Sequence, residues 1–198
     1  MSAQAMKWVL VILLLMASPV LAEGWRGPYV GLHLGGAVAD FSGPSGLAPG
    51  ASGEGRGMVG GLQVGYNWQR GNSVLGAEAD LSFADISDDF PGGHFEEDMM
   101  TSLRFRAGVA TGDTLVFGTL GVAWTEQQTT LTGVGSSTDF EPGLMMGAGA
   151  ERFLGENVTG RVEAYFVDAP ADTRVIGATP TANGSQNVVF RAGLSLHF

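Results

Sequence analysis

Residues 75–83 read Leu75-Gly76-Ala77-Glu78-Ala79-Asp80-Leu81-Ser82-Phe83, and the reading of this stretch decides the fold. Leu75, Ala77, Ala79, Leu81 and Phe83 fall on one parity; Gly76, Glu78, Asp80 and Ser82 fall on the other. A β-strand sends successive side chains to opposite faces, so the stretch presents one apolar face and one polar, ionic face. An amphipathic helix would instead repeat its apolar residues every three or four positions.

The same alternation recurs on both sides of this stretch. Upstream, Val30, Leu32 and Leu34 alternate with Gly31, His33 and Gly35, and Leu62, Val64, Tyr66 and Trp68 alternate with Gly61, Gln63, Gly65 and Asn67. Downstream, Leu103, Phe105, Ala107 and Val109 oppose Ser102, Arg104, Arg106 and Gly108, and Val116, Leu120, Val122 and Trp124 oppose Phe117, Thr119, Gly121 and Ala123. Leu144, Met146, Ala148 and Ala150 oppose Met145, Gly147, Gly149 and Glu151, and Val158, Val162, Ala164 and Phe166 oppose Thr159, Arg161, Glu163 and Tyr165. The chain closes on Val188, Phe190, Ala192, Leu194, Leu196 and Phe198 against Val189, Arg191, Gly193, Ser195 and His197. Eight segments of about ten residues have the length of tilted strands that cross a bilayer, and an even number brings both ends of the chain to one side.

The connections alternate between two kinds. Arg70-Gly71-Asn72-Ser73, Thr111-Gly112-Asp113 and Leu154-Gly155-Glu156-Asn157 are tight-turn sequences. The other four, over 40–57, 85–98, 126–141 and 168–187, have the glycine, proline, serine and acidic content of long exposed loops. Short turns at one rim and long loops at the other are the asymmetry of an outer-membrane barrel.

Residues 1–22 read as an export leader: Lys7, an apolar run from Trp8 to Ala17, then Val20-Leu21-Ala22 before the expected cut. The apolar run is shorter than the ~20 residues of a spanning helix. This leaves 23–198 as a single barrel domain that retains nine arginines, no lysine and all twenty acidic residues.

That acidic excess argues against a nucleic-acid ligand, which needs a field of the opposite sign. The chain has no cysteine, hence no disulfide, thiolate metal site or cysteine nucleophile. His33, His94 and His197 are far apart, without the His-Glu-x-x-His spacing of a zinc helix, and neither a metal nor a cofactor is expected. Asp85, Asp88, Asp89, His94, Glu96, Glu97 and Asp98 crowd one long connection, but their spacing is not that of an EF-hand, and a solvated acidic loop is expected.

Charge placement separates this barrel from a soluble one. On the polar faces Glu78, Asp80, Glu151 and Glu163 are matched in number by Arg104, Arg106, Arg161 and Arg191, whereas the long connections hold most of the acids and only Arg56 and Arg174 as counter-charges. Charged faces in water need no matching; inside a narrow lumen each unpaired charge is costly. These eight residues are therefore expected to form lumenal ion pairs, with the pairing register left open. At about eight strands a barrel interior is only wide enough for side chains to fill, so a plugged barrel is expected over a diffusion porin. The inward glycines are the argument for the porin.

At this point the sequence resembles the small porin-like outer-membrane β-barrel proteins of Gram-negative bacteria, often called outer membrane immunogenic proteins. The likeness covers nearly all of 23–198. It rests on Trp25-Arg26-Gly27-Pro28-Tyr29-Val30-Gly31-Leu32-His33-Leu34-Gly35-Gly36, on Gly60-Gly61-Leu62-Gln63-Val64-Gly65-Tyr66-Asn67-Trp68-Gln69 and on Val74-Leu75-Gly76-Ala77-Glu78-Ala79-Asp80. It continues through Gly147-Ala148-Gly149-Ala150-Glu151, Arg161-Val162-Glu163-Ala164-Tyr165-Phe166-Val167-Asp168 and Asn187-Val188-Val189-Phe190-Arg191-Ala192-Gly193-Leu194. Each motif is weak singly, and their order is specific. The resemblance implies an all-β, eight-stranded antiparallel up-and-down barrel in the outer membrane, with periplasmic termini, extracellular loops and no catalytic residues. It also implies that Phe198 is read as an assembly signal by the barrel-assembly machinery. Two positions depart from the pattern: His197 stands where arginine or lysine is usual before the last aromatic, and Arg152 follows Glu151 where an aromatic is common.

Ser195 and His197 share one strand face with carboxylates, the residue types of a lipid hydrolase. Their parity turns Ser195 toward the lumen and away from acyl chains, so catalysis is not expected. Expected partners are outer-membrane lipid and lipopolysaccharide, the latter through bridging cations because its phosphates repel the acidic loops. The sequence names no extracellular partner.

Overall fold

The computed structural model describes residues 24–42, 52–90, 93–131, 135–176 and 179–198. The leader assigned to 1–22 lies outside them. Eight strands follow in order: β1 (Gly27–Ser42), β2 (Ser52–Arg70), β3 (Ser73–Phe90), β4 (Gly93–Thr111), β5 (Thr114–Leu131), β6 (Gly135–Phe153), β7 (Val158–Ile176) and β8 (Thr179–His197). Each pairs antiparallel with its neighbour in sequence, and β1 pairs with β8 from Tyr29↔His197 to Ser42↔Gly184, which closes the barrel. Closure leaves no sheet edge around the band where lipid would lie.

The three tight turns join β2–β3, β4–β5 and β6–β7 at the rim that also carries both ends of the barrel. Gly71 and Gly112 adopt φ of 58° and 57° at the first loop position, where a two-residue hairpin loop of the II′ type requires glycine. Each turn also accepts a backbone hydrogen bond from the strand that follows its hairpin, β4, β6 or β8: Ala110 N–H to Asn72 O (2.7 Å), Phe153 N–H to Asp113 O (2.9 Å) and His197 N–H to Asn157 O (2.8 Å). This near rim is thereby tied into a continuous ring.

The far rim differs from the long loops read from sequence. Strand pairing runs through most of 52–57, 85–98, 126–141 and 168–187, and the side chains of the acidic segment 85–98 lie outside the described residues. The reason is that backbone ladders need no apolar face. Runs such as Gln127-Gln128-Thr129-Thr130 have enough β-propensity to keep pairing, here with Glu97 to His94 of β4, after the apolar row has ended. Register shifts between Phe83 and Ile86, between Glu97 and Met99, and between Ala169 and Asp172 are confined to this half. One ladder stops early: β6–β7 pairing ends at Leu144↔Asp168, although both strands continue. Pro142 and Pro170 stand two residues beyond that last pair, and neither has an N–H to donate.

The outer wall near the tight turns is apolar. Leu62, Val64, Trp68, Leu75, Phe105, Val116, Leu120, Val162 and Phe190 are exposed there, Phe105 at 69 % and Phe190 at 62 %. About ten residues of ~3.4 Å tilted by ~40° give the ~25 Å height of a lipid-facing band. The inward parity is buried, so polar residues form most of the core.

Candidate functional site

The inward face converges on the lumen, and Glu78 stands at its centre. Antiparallel pairing of β3 with β4 sets Glu78 opposite Arg104, Asp80 opposite Ser102 and Gly76 opposite Arg106. Glu78, 1 % exposed, makes ion pairs with all four lumenal arginines: Arg104, Arg106 (3.9 Å), Arg161 (2.6 Å) and Arg191 (3.8 Å). Tyr29 Oη also donates to its Oε2 at 2.5 Å. Charges drawn from β3, β4, β7 and β8 thus share one carboxylate across the barrel.

Two tiers extend from that centre. Toward the far rim, Arg104 reaches Glu163 (3.1 Å) and Asp80 (3.5 Å), and Arg191 bonds Glu163 and Asp80 (3.2 Å). Ser102 donates to Asp80 at 2.8 Å. His33 lies between Gln63 (2.6 Å), Ser82 (2.9 Å) and Arg191 (3.2 Å). Toward the near rim, Arg106 donates from Nη1 to Glu151 Oε2 (2.7 Å) and from Nε to Asn67 Oδ1 (3.0 Å). Thr159 donates to Glu151 Oε1 at 2.6 Å, and His197 Nε2 lies 3.2 Å from the same oxygen. All eight charged residues singled out on the polar faces are buried and belong to this one connected network.

Aromatic rings frame the ions. Arg106 lies over Tyr29 (4.6 Å) and Phe117 (5.2 Å), while Arg104 (5.8 Å) and Arg191 (4.9 Å) share the ring of Tyr165. The glycines make the room for this. A side chain at Gly65 would overlap the Tyr29 ring, and a Cβ at Gly76 would fall 2.5 Å from Asn67 Oδ1 and 2.9 Å from Arg106 Cγ. Inward glycines are therefore where long side chains lie flat, rather than open volume.

Apolar layers cover both ends of the ionic zone. Trp25, Val74, Ala110, Leu115 and Phe117 pack together at the near rim, where Trp25 meets Phe153 (4.5 Å) and His197 (5.9 Å) and donates its backbone N–H to Gln69 (2.7 Å). Ala37, Val59, Met100, Ala123, Met145, Tyr165, Val167 and Val189 form the other layer. Sequence reasoning had not singled out these layers. Parity carries the signal for most of them, because Ala37, Val74, Leu115 and Met145 continue the rows of His33, Glu78, Thr119 and Glu151. Trp25 precedes the first strand, so no alternation could place it.

Ser195 and His197 are not assembled as a nucleophile and base. Ser195 Oγ accepts from Gln63 Nε2 (3.2 Å) and is buried in the lumen, while His197 faces Glu151 and Thr159. Phe198 lies at the near rim, its N–H donated to Pro28 O at 3.0 Å. Among the described residues no cluster of three or more His, Asp or Glu has metal-binding geometry.

Comparison with known proteins agrees with this architecture. The family model described as the outer membrane protein beta-barrel domain matches residues 8–198. A 22 kDa outer membrane protein of Rhizobium leguminosarum bv. viciae is 30 % identical over 179 residues, covering 87 % of this chain and 79 % of that one. A 31 kDa outer-membrane immunogenic protein of Brucella melitensis is 30 % identical over 182 residues, covering 77 % and 74 %. Among solved structures, Neisserial surface protein A superposes with a TM-score of 0.53 at 17 % identity, covering 89 % of this chain and all of that one. The outer membrane protease OmpT of Escherichia coli does so with 0.53 at 11 %, covering 91 % and 99 %. At such identities these two structures speak for the fold alone. The chain belongs to the outer membrane protein beta-barrel family and is an integral protein of the bacterial outer membrane.

Proposed function

We propose that this is a non-enzymatic, surface-exposed barrel whose lumen is closed to general diffusion, held in the membrane by its apolar outer wall and presenting an acidic far rim outside the cell. The observation that carries this reading is the single ionic network centred on Glu78, with an apolar layer at each end. A water column would need a continuous polar path, and a lumen of eight strands is filled by side chains. Burial of Ser195 and the engagement of His197 with Glu151 support a structural role for both. In this reading the leader 1–22 is removed on export, and the near rim with both termini faces the periplasm. Phe198 is the assembly signal, and lipopolysaccharide is met through bridging cations.

The test is conductance of purified monomer in planar bilayers, with heat-dependent gel mobility as the check on folding. No stable general-diffusion channel is expected, at most small transient events. Steady large conductance from verified monomer would promote the porin reading, and loss of a lipid A modification on Ser195→Ala would promote an enzyme. Deleting Phe198 should abolish insertion in cells while leaving detergent folding in vitro intact; equal loss in both would reduce Phe198 to a packing residue.

A further inference from the structure

The outer wall of β1–β4 carries a trough that its own side chains do not fill. In register, Ala77 stands between Tyr66 of β2 and Phe105 of β4, and Ala79 stands between Val64 and Leu103. All six lie on the outward parity, so two methyl groups are set among large neighbours. The result is a cavity of about 370 Å³, lined by Ala77 and Ala79 together with the larger Val30, Val64, Leu103 and Phe198, and reaching Pro28. This wall faces lipid, and an open apolar groove in it takes an acyl chain rather than water.

Beyond the Pro28 end of the groove, toward the near rim, the apolar wall gives way to arginine. Arg26 lies two residues, ~7 Å, beyond Pro28, and Arg70 lies two residues beyond Trp68. Both are exposed, although Trp25 and Gly27 on either side of Arg26 are buried. Gln69 holds the two segments together: Trp25 N–H donates to Gln69 Oε1 (2.7 Å), and Gln69 Nε2 donates to Gly71 O (3.0 Å). Neither Arg26 nor Arg70 has an ion pair or a side-chain hydrogen bond among the described residues. The Phe198 carboxyl group stands beside Gly27, where a Cβ would overlap its oxygen. Two guanidiniums and one carboxylate leave a single positive charge, which one phosphodiester matches. Between the groove and the arginines Tyr66 and Trp68 pair with ring centroids 4.9 Å apart, at the level where amphipathic rings meet the headgroups. From the midplane to the rim this sector presents an apolar groove, two interfacial rings and two arginines, the order of acyl chain, glycerol and phosphate along a phospholipid.

We propose that the outer wall of β1–β4 binds one anionic glycerophospholipid of the leaflet at the near rim, with an acyl chain in the groove and the phosphate held by Arg26 and Arg70. The proposal rests on the reading of the near rim as the periplasmic one, which decides the leaflet.

Phosphatidylglycerol is the probe. Protein refolded in a maltoside detergent with this lipid is expected to keep one molecule per barrel in native mass spectrometry. Arg26→Gln and Arg70→Gln should each weaken retention about tenfold, and Ala77→Leu should fill the groove and abolish it, while every variant keeps its heat-dependent gel mobility. Arg152→Gln removes one charge from the near-rim end of β6 and should change nothing. Equal loss in Arg152→Gln would make the attraction a general one of the rim and overturn the site, as would equal retention of diacylglycerol, which lacks the phosphate. Preference for lipopolysaccharide, or a dimer that keeps no lipid and that Ala77→Leu dissociates, would give the groove another occupant and overturn the proposal likewise. Orientation is read separately. Asn72→Cys supplies the one thiol of the chain, and it should be closed to an impermeant thiol reagent in intact cells. Labelling there would overturn the periplasmic near rim, whereas lipid retention in detergent does not depend on orientation, so the two failures are distinguishable.

Discussion

The two faces of β4 carry opposite chemistry within one strand. Leu103, Phe105 and Val109 are 53–69 % exposed, whereas Ser102, Arg104 and Arg106 are 2–3 % exposed. In a soluble domain this pattern would be a defect. Here lipid replaces water as the outer solvent, and the interior is too narrow to remain wet, so the ionic residues become the core and must find partners there. The difference teaches that burial has no fixed chemical meaning: what matters is whether each buried group meets its complement.

The comparison breaks most severely at the centre of the inner face. Glu78→Ala leaves four arginines without their shared carboxylate, and a loss of about 3–5 kcal/mol is expected in urea unfolding of the detergent-folded barrel. Arg104→Ala should cost less, because Glu78 keeps Arg161 at 2.6 Å. Unchanged stability in both variants would remove the ionic network from the account of the fold.

The outer face should fail by the reverse substitution. Phe105→Arg places a charge on the lipid-facing wall and is expected to destabilise by about 2–4 kcal/mol if Phe105 lies near the bilayer midplane, measured by folding into liposomes. Phe105→Leu should be nearly neutral by comparison. If arginine were tolerated as well as leucine, the band would not be facing lipid.

A smaller effect sharpens the role of the inward glycines. Gly65→Val forces a branched side chain into the Tyr29 ring and should cost about 1–3 kcal/mol. Tyr29→Ala in the same chain relieves that clash, so a double-mutant cycle should show the pair coupled. Additive losses would mean that Gly65 matters for some other reason than the room it gives Tyr29.

The smallest effect belongs to the far rim. Pro142→Thr with Pro170→Thr restores two N–H donors where the β6–β7 ladder stops, and slower amide exchange at those positions is expected, with a change in global stability under ~1 kcal/mol. Unaltered exchange would show that something other than the prolines ends the pairing.

Much of this molecule could be read from alternation alone. The parity that separates Leu75 from Glu78 also separates Leu103 from Arg104 and Val162 from Arg161, and the glycines of the three tight turns mark where β2, β4 and β6 end. Strand length at the far rim was less legible, because threonine, serine and glutamine serve equally in a loop or in a solvated ladder. The apolar layers of the lumen were hidden for a related reason: parity turns Val74 and Met145 inward with Glu78 and Glu151, but nothing local to either strand says that they pack with residues of other strands into a layer.

By itself the sequence determined the number of strands, their order, the faces of each strand and the balance of charge between them, since all of these follow from a period of two and from turns that are local in the chain. It could not say which charges would meet. Arg161 of β7 reaches Glu78 of β3, Arg104 of β4 reaches Glu163 of β7, and Arg106 of β4 reaches Glu151 of β6. None of these pairs lies on adjacent strands. Only closure of the barrel brings such strands within one side chain's length of each other.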